Sequence, residues 1–163
     1  MEMIKVGPVG SRKGSIWEEN GRGEVAGIFV SYTKNTVLSL QFLFYEDGNF
    51  VQSNKHGSHH CANFSAVLLD YPSEFLTSIS GSYMYDGGLA AIKFNTNKGS
   101  YGSFGQPITN ATNYFNFQLG NHNLFGGFHG TMSSSAVESI GIYVKPVVSS
   151  MINLKDLRVK DEK

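Results

Sequence analysis

Three short stretches of this chain carry side chains able to do chemistry. His56-Gly57-Ser58-His59-His60-Cys61 gathers three imidazoles and a thiol within six residues. That set is metal-capable, but zinc wants four ligands at fixed spacing and no second cluster completes one, so the stretch reads as a surface loop without metal. Asp70 and Glu74 offer the carboxylate pair a glycosidase would need, yet Pro72 stands between them and nothing in the pattern makes them converge. Tyr83-Met84-Tyr85-Asp86-Gly87-Gly88 combines aromatic faces with an acid. That is chemistry for a sugar ring, which stacks on tyrosine and donates hydroxyls to a carboxylate. The competing reading is a Gly-Gly hairpin turn with exposed tyrosines. The glycines from Gly99 to Gly105 open no helix and make no phosphate cradle.

The elements that must position these groups repeat. Val37-Leu38-Ser39-Leu40-Gln41-Phe42, Leu89-Ala90-Ala91-Ile92-Lys93-Phe94 and Val137-Glu138-Ser139-Ile140-Gly141-Ile142 follow one another at offsets of 52 and 48 residues. A second pattern, Val25-x-x-Ile28, Leu76-x-x-Ile79 and Phe125-x-x-Phe128, recurs at offsets of 51 and 49. Two series that agree this closely mark internal repeats. Each repeat reads as a β-hairpin. Leu38, Leu40, Phe42 and Phe44 share one parity, as do Ala90, Ile92 and Phe94, and Ile140, Ile142 and Val144; a strand with one buried face requires this. The joining segments 33–36, 85–88 and 131–136 are rich in Asn, Asp, Gly and Ser, the residues of turns. Three similar sheets around a pseudo-threefold axis explain the period better than a two-sheet sandwich does.

Glu138 stands out within that pattern. It falls on the inward parity, where the other repeats place Leu38 and Ala90, and a carboxylate there is costly unless N–H groups or a ligand satisfy it. Because it begins its strand, it belongs at an open mouth, either as a solvated edge residue or as an acceptor aimed into a shallow site.

Composition removes other classes. The 163 residues fit one domain, and 13 basic residues balance 13 acidic ones, which is no footprint for nucleic acid. No apolar run is long enough to span a bilayer. The start, Met1-Glu2-Met3-Ile4-Lys5, lacks the basic and apolar regions of a signal peptide, and the lone Cys61 allows no intrachain disulfide. A cytoplasmic or nucleocytoplasmic protein is expected.

Several ordered motifs then resemble one family. Gly7-Pro8-Val9-Gly10, Gly14 and Trp17-Glu18 resemble the N-terminal segment of the jacalin-related plant lectins. So do the run from Leu69 to Gly81, the stretch from Asn95 to Gly105, and Gly127-Phe128-His129-Gly130 with Ser139-Ile140-Gly141. The resemblance implies an all-β fold, the β-prism I of three four-stranded Greek-key sheets. It also implies a lectin domain over 1–146 with a charged tail over 147–163, and the mannose-type, cytoplasmic branch of the family.

The same resemblance implies a metal-free, cofactor-free site for mannose- or glucose-containing glycans. The N-terminal glycine loop and a Gly-x-x-x-Asp motif in the third hairpin would form it. Carried onto this chain, the site comprises Gly14 with Ser134, Ser135, Ala136, Val137 and Glu138, Ser standing for the motif's Gly and Glu for its Asp. If the position of Ser134 demands a positive φ, a serine there is strained. The second hairpin loop, Tyr85, Asp86, Gly87 and Gly88, is the candidate second site. The expected function is a lectin acting as a homo-oligomer, dimer or higher, with neither membrane nor nucleic acid as partner. The alternatives are a degenerate lectin domain serving protein interaction, and a lectin fold recruited as an enzyme through its altered pocket.

Overall fold

A computed structural model describes residues 2–84, 87–106 and 113–146. Its strands are β1 (Ile4–Gly10), β2 (Ser15–Asn20), β3 (Glu24–Tyr32), β4 (Val37–Glu46), β5 (Asn49–Gln52), β6 (His56–Gly57), β7 (Asn63–Leu68), β8 (Leu76–Tyr83), β9 (Leu89–Thr96), β10 (Ser100–Gly105), β11 (Tyr114–Gln118), β12 (Phe125–Met132) and β13 (Val137–Val144). They form three antiparallel sheets. The first runs β5-β4-β3-β7, with the short β6 pairing β4 beside β5; the second runs β10-β9-β8-β11; the third runs β1-β13-β12-β2. Each sheet is built on a central hairpin, β3–β4, β8–β9 or β12–β13, flanked by two outer lanes. This is the expected prism of three Greek-key sheets.

The inward residues of the three hairpins make one core. Phe42, Phe44, Phe94, Phe125, Phe128, Ile28, Leu40, Ile79, Ile92 and Ile140 are all buried. Phe42 of the first sheet stacks on Phe128 of the third at 4.1 Å between ring centroids. Each such side chain contributes about 1.5–3 kcal/mol by leaving water, which is why inward positions hold large apolar residues in every repeat.

The odd spacing Val25-x-x-Ile28 has a backbone cause. Pairing slips by one residue between Val25 and Gly27, between Leu76 and Ser78, and between Phe125 and Gly127. Each slip is a β-bulge that returns the strand to the core face after an odd count. The same event occurs where β4, β9 and β13 begin. Tyr32, Tyr83 and Met132 pair Val37, Leu89 and Val137, while Ser31, Ser82 and Thr131 pair Ser39, Ala91 and Ser139. Leu38, Ala90 and Glu138 are therefore the extra residues of three equivalent bulges. This corrects the parity expected for Glu138. The core position belongs to Val137, which is fully buried, while Glu138 is half-buried at the rim.

Candidate functional site

The end of the prism that carries the three hairpin turns is assembled by one joint used three times. The carbonyl of each bulge residue accepts a backbone N–H from the neighbouring outer strand: Ser58 to Leu38 at 2.8 Å, Gln106 to Ala90 at 2.8 Å, and Ser11 to Glu138 at 3.1 Å. The residue before each donor is a glycine at positive φ, namely Gly57 (116°), Gly105 (106°) and Gly10 (113°). A side chain on any of the three would run into that bulge carbonyl. Glycine is required there because two backbones meet at a left-handed residue.

In the third sheet this joint supports the predicted site. Gly14, at φ 87°, lies so close to the Met132 carbonyl that a Cβ would overlap it. The Thr131 hydroxyl donates to the Ser11 carbonyl at 3.0 Å and contacts the Ser139 hydroxyl at 2.6 Å. Loop 10–14 and the third hairpin are thus fastened together. Ser134 and Ser135 are exposed at the hairpin tip beside exposed Arg12, Lys13 and Gly14. Ala136 and Val137 are buried; they shape the loop from inside and offer no side chain to a ligand. No described residue hydrogen-bonds the Glu138 carboxylate.

The hairpin turn carries a feature that sequence reasoning missed. Ser133 N–H donates to the Ala136 carbonyl at 3.0 Å, and the Ser133 hydroxyl accepts from the N–H groups of Ser135 (3.1 Å) and Ala136 (3.3 Å). Thr33 does the same for Asn35 and Thr36 in the first hairpin. Serine and threonine favour such turns because the hydroxyl reaches N–H groups two and three residues on. The N–H groups of Ser135 and Ala136 are thereby engaged within the turn itself. The backbone at Ser134 is not left-handed; among the described non-glycine residues only Asp47 takes a positive φ. The strain expected of Ser134 is therefore absent.

The second candidate site is only partly described. Tyr85 and Asp86 lie outside the described residues. Gly87 sits beside Met84, and a side chain on Gly88 would overlap the Val137 carbonyl, so the second hairpin loop abuts the strand that begins at Val137.

The His-Cys stretch divides. His59, His60 and Cys61 are exposed, but His56 is buried, which corrects the reading of the whole stretch as a surface loop. Its Nε2 lies 2.8 Å from Glu19, its ring stacks on Trp17 at 4.5 Å, and Glu19 also pairs Arg22 at 2.8 Å. Arg22 in turn forks onto Glu46 with two 2.9 Å bonds. Burial pushes His56 below the ordinary histidine range, outweighing the upward pull of Glu19. The hydrogen bond from Arg22 holds Glu46 below the usual carboxylate range. Glu19 shares the buried parity of Trp17 in β2, and that was the available signal: a carboxylate on a core face needs a partner. Among the described residues, no three histidine, cysteine or acidic side chains converge on one point.

Asp70 and Glu74 are both engaged. Glu74 is buried and accepts from Asp70 N–H (2.8 Å), Thr96 (2.6 Å) and Tyr101 (2.8 Å). Burial raises its pKa, but these bonds outweigh it and leave the group lowered. Asp70 faces solvent and pairs Lys98 at 3.0 Å. Beside Gly14, a cavity of about 310 Å³ lies over β12, lined by Lys5, Pro8, Arg12, Ile16, His129 and Thr131. Burial lowers the His129 pKa and pushes the neighbouring Tyr143 phenol up to about 12.

The family model of the jacalin-like lectin domain matches residues 6–143. The chain belongs to the jacalin-related lectins. Among curated members of that family, Jacalin-related lectin 2 of Arabidopsis thaliana is 35% identical over 161 residues, covering 89% of this chain and 88% of its own. Protein RESTRICTED TEV MOVEMENT 1 of Arabidopsis thaliana is 39% identical over 153 residues, covering 88% and 87%. Among solved structures, the mannose-binding lectin from Champedak is 28% identical with a TM-score of 0.78 over 90% of this chain and 99% of its own. The artocarpin–mannotriose complex is 26% identical with a TM-score of 0.76 and the same coverage. These jacalin-related neighbours share the β-prism.

Proposed function

We propose that this jacalin-related lectin binds mannose- or glucose-containing glycans, without metal and without turning them over. The site is the mouth formed by Gly14, Ser134, Ser135 and Glu138. One observation carries the reading. Three equivalent bulges open at this end of the prism, and only the one in the third sheet holds a carboxylate, where the others hold Leu38 and Ala90. Glu138 is half-buried, flanked by a glycine loop that lets backbone approach a ring, and without a hydrogen-bond partner among the described residues, so that it can accept from hydroxyl groups. The solved relatives include a mannose-binding lectin and a mannotriose complex, which supports the sugar class.

A shallow site of this kind buries little area, so a monosaccharide dissociation constant on the order of 0.1–10 mM is expected. Homo-oligomerisation, part of the same proposal, would convert that into avidity. The setting proposed is cytoplasmic or nucleocytoplasmic, which the single, exposed Cys61 supports. Residues 1–146 are the proposed lectin domain and 147–163 an appended tail.

A second reading, a protein-interaction module that has lost sugar binding, is favoured by the Ser133 hydroxyl, which occupies the N–H groups of Ser135 and Ala136. Titration calorimetry with mannose and a glycan array separates the two. Wild type should bind mannose-type glycans equally with and without EDTA, and Glu138→Ala should bind at least about tenfold more weakly, because a hydrogen bond to a charged acceptor is worth about 1.5–3 kcal/mol. An array without mannose-type binding selects the interaction module.

A further inference from the structure

The outward faces of the first and second sheets are built on the same register but differ in chemistry. Three rows cross each sheet. In the first sheet they read Phe64–Ser31–Ser39, Ala66–Phe29–Gln41 and Leu68–Gly27–Leu43. In the second sheet they read Tyr114–Ser82–Ala91, Asn116–Ser80–Lys93 and Gln118–Ser78–Asn95. The fold therefore accepts Ser80, Asn95 and Gln118 where the first sheet shows Phe29, Leu43 and Leu68. Phe64 and Leu68 are 58% and 60% exposed, and Phe50, which extends the same face on β5, is 59% exposed. The rings are organised: Phe64 stacks on Phe29 at 6.1 Å, and Phe50 packs edge-on to Tyr45 at 5.2 Å. Between Phe50 and Leu68 lies a cavity of about 310 Å³ floored by Leu43 and Leu69.

We propose that this outer face of the first sheet is the surface on which two copies of the chain pack as a two-fold dimer. The inference rests on the homo-oligomer proposed above and assigns it a face. Three arguments select a second copy. The three rows carry no Lys, Arg, Asp or Glu, and the nearest acids, Glu24 in the row of Tyr45 and Phe50 and Asp70 beside the cavity, stand at the edge of the face, so its centre meets no like charge when it meets itself. The spacing is self-complementary: in an antiparallel crossing over the small, exposed Ala66, Phe64 of each copy faces Leu68 of the other. The area suffices, because Phe50, Phe64 and Leu68 leave about 300 Å² of apolar surface in water. With the half-buried residues between them the face reaches on the order of 600–800 Å² per copy, close to that of a standard specific interface.

Analytical ultracentrifugation over a wide concentration range tests the assignment. One variant, Phe64→Tyr with Ala66→Asn and Leu68→Gln, gives β7 the outer face that β11 already carries. A second, Phe50→Lys, puts a charge on the opposite edge strand and serves if the first disturbs folding. Circular dichroism and Trp17 fluorescence report the fold. Wild type is expected to sediment as a dimer, and the folded variants to dissociate at least about tenfold more readily. A dimer that is equally tight in both variants overturns this face and leaves the oligomer standing. Wild type that is monomeric throughout overturns both.

Discussion

The mouths of the first and third sheets share a backbone and differ in what it presents. At both, a hydroxyl-capped four-residue turn leads into a bulge whose carbonyl is gripped by an N–H beyond a left-handed glycine. In the first sheet the bulge residue is Leu38, buried, and the adjoining lane carries His56, locked between Trp17 and Glu19. In the third sheet the bulge residue is Glu138, half-buried, and the adjoining loop ends in exposed Arg12, Lys13 and Gly14. The joint is thus a structural device and its bulge residue is a free variable. The proposed function enters at the variable, because changing it leaves the core residues Val37 and Val137 in place.

The largest effect should come from breaking the joint itself. Gly57→Ala and Gly10→Ala each place a methyl against a carbonyl at positive φ, and each should cost about 2–4 kcal/mol in urea unfolding. Equal losses would confirm that the mouths are built alike; a Gly10 variant that loses much less would mean that the third joint is looser and its likeness superficial.

A smaller effect separates the mouths by pH. Burial lowers the folded pKa of His56, so the unfolded chain takes up that proton first as the pH falls. Stability is intact above about pH 6.5 and declines as the pH drops from there through the folded value. Urea midpoints should therefore be lower at about pH 5 than at about pH 7.5. His56→Asn should flatten that slope, leaving the same-signed part due to buried His129. Stability that instead rises on acidification would show that the Glu19 pairing, and not burial, governs His56.

The smallest effect concerns the turn. Ser133→Ala releases the N–H groups of Ser135 and Ala136 and should cost about 0.5–1 kcal/mol of stability. Mannose affinity should then rise a few-fold if those donors can reach a bound sugar. Because Ser134 carries no left-handed strain, Ser134→Gly should change affinity by less than this. A larger gain from Ser134→Gly than from Ser133→Ala in calorimetry would return the obstruction to the side chain at the tip.

The amino-acid order by itself determined the three hairpins. Inward positions must be apolar in each repeat, and that demand leaves a period of about fifty residues in the chain. The jacalin-related motifs were legible for a similar reason: Gly7, Gly10, Gly14 and Gly105 all take a positive φ, where a side chain is strained. Tertiary structure alone decided three things. The bulges moved Glu138 from the inward parity to the rim, because an inserted residue is a hydrogen-bonding event that composition does not record; only the odd spacing of Val25 and Ile28 betrayed its kind. The pairing of His56 with Glu19, 37 residues apart, exists only once β6 lies against β2's sheet, so three neighbouring histidines in the chain became one buried and two exposed. The apolar outer face was half visible, since Phe42-Leu43-Phe44 puts large side chains on both faces of β4. What joined Leu43 to Leu68 was strand order, which sets lateral neighbours through hydrogen bonds that carry no trace in linear sequence.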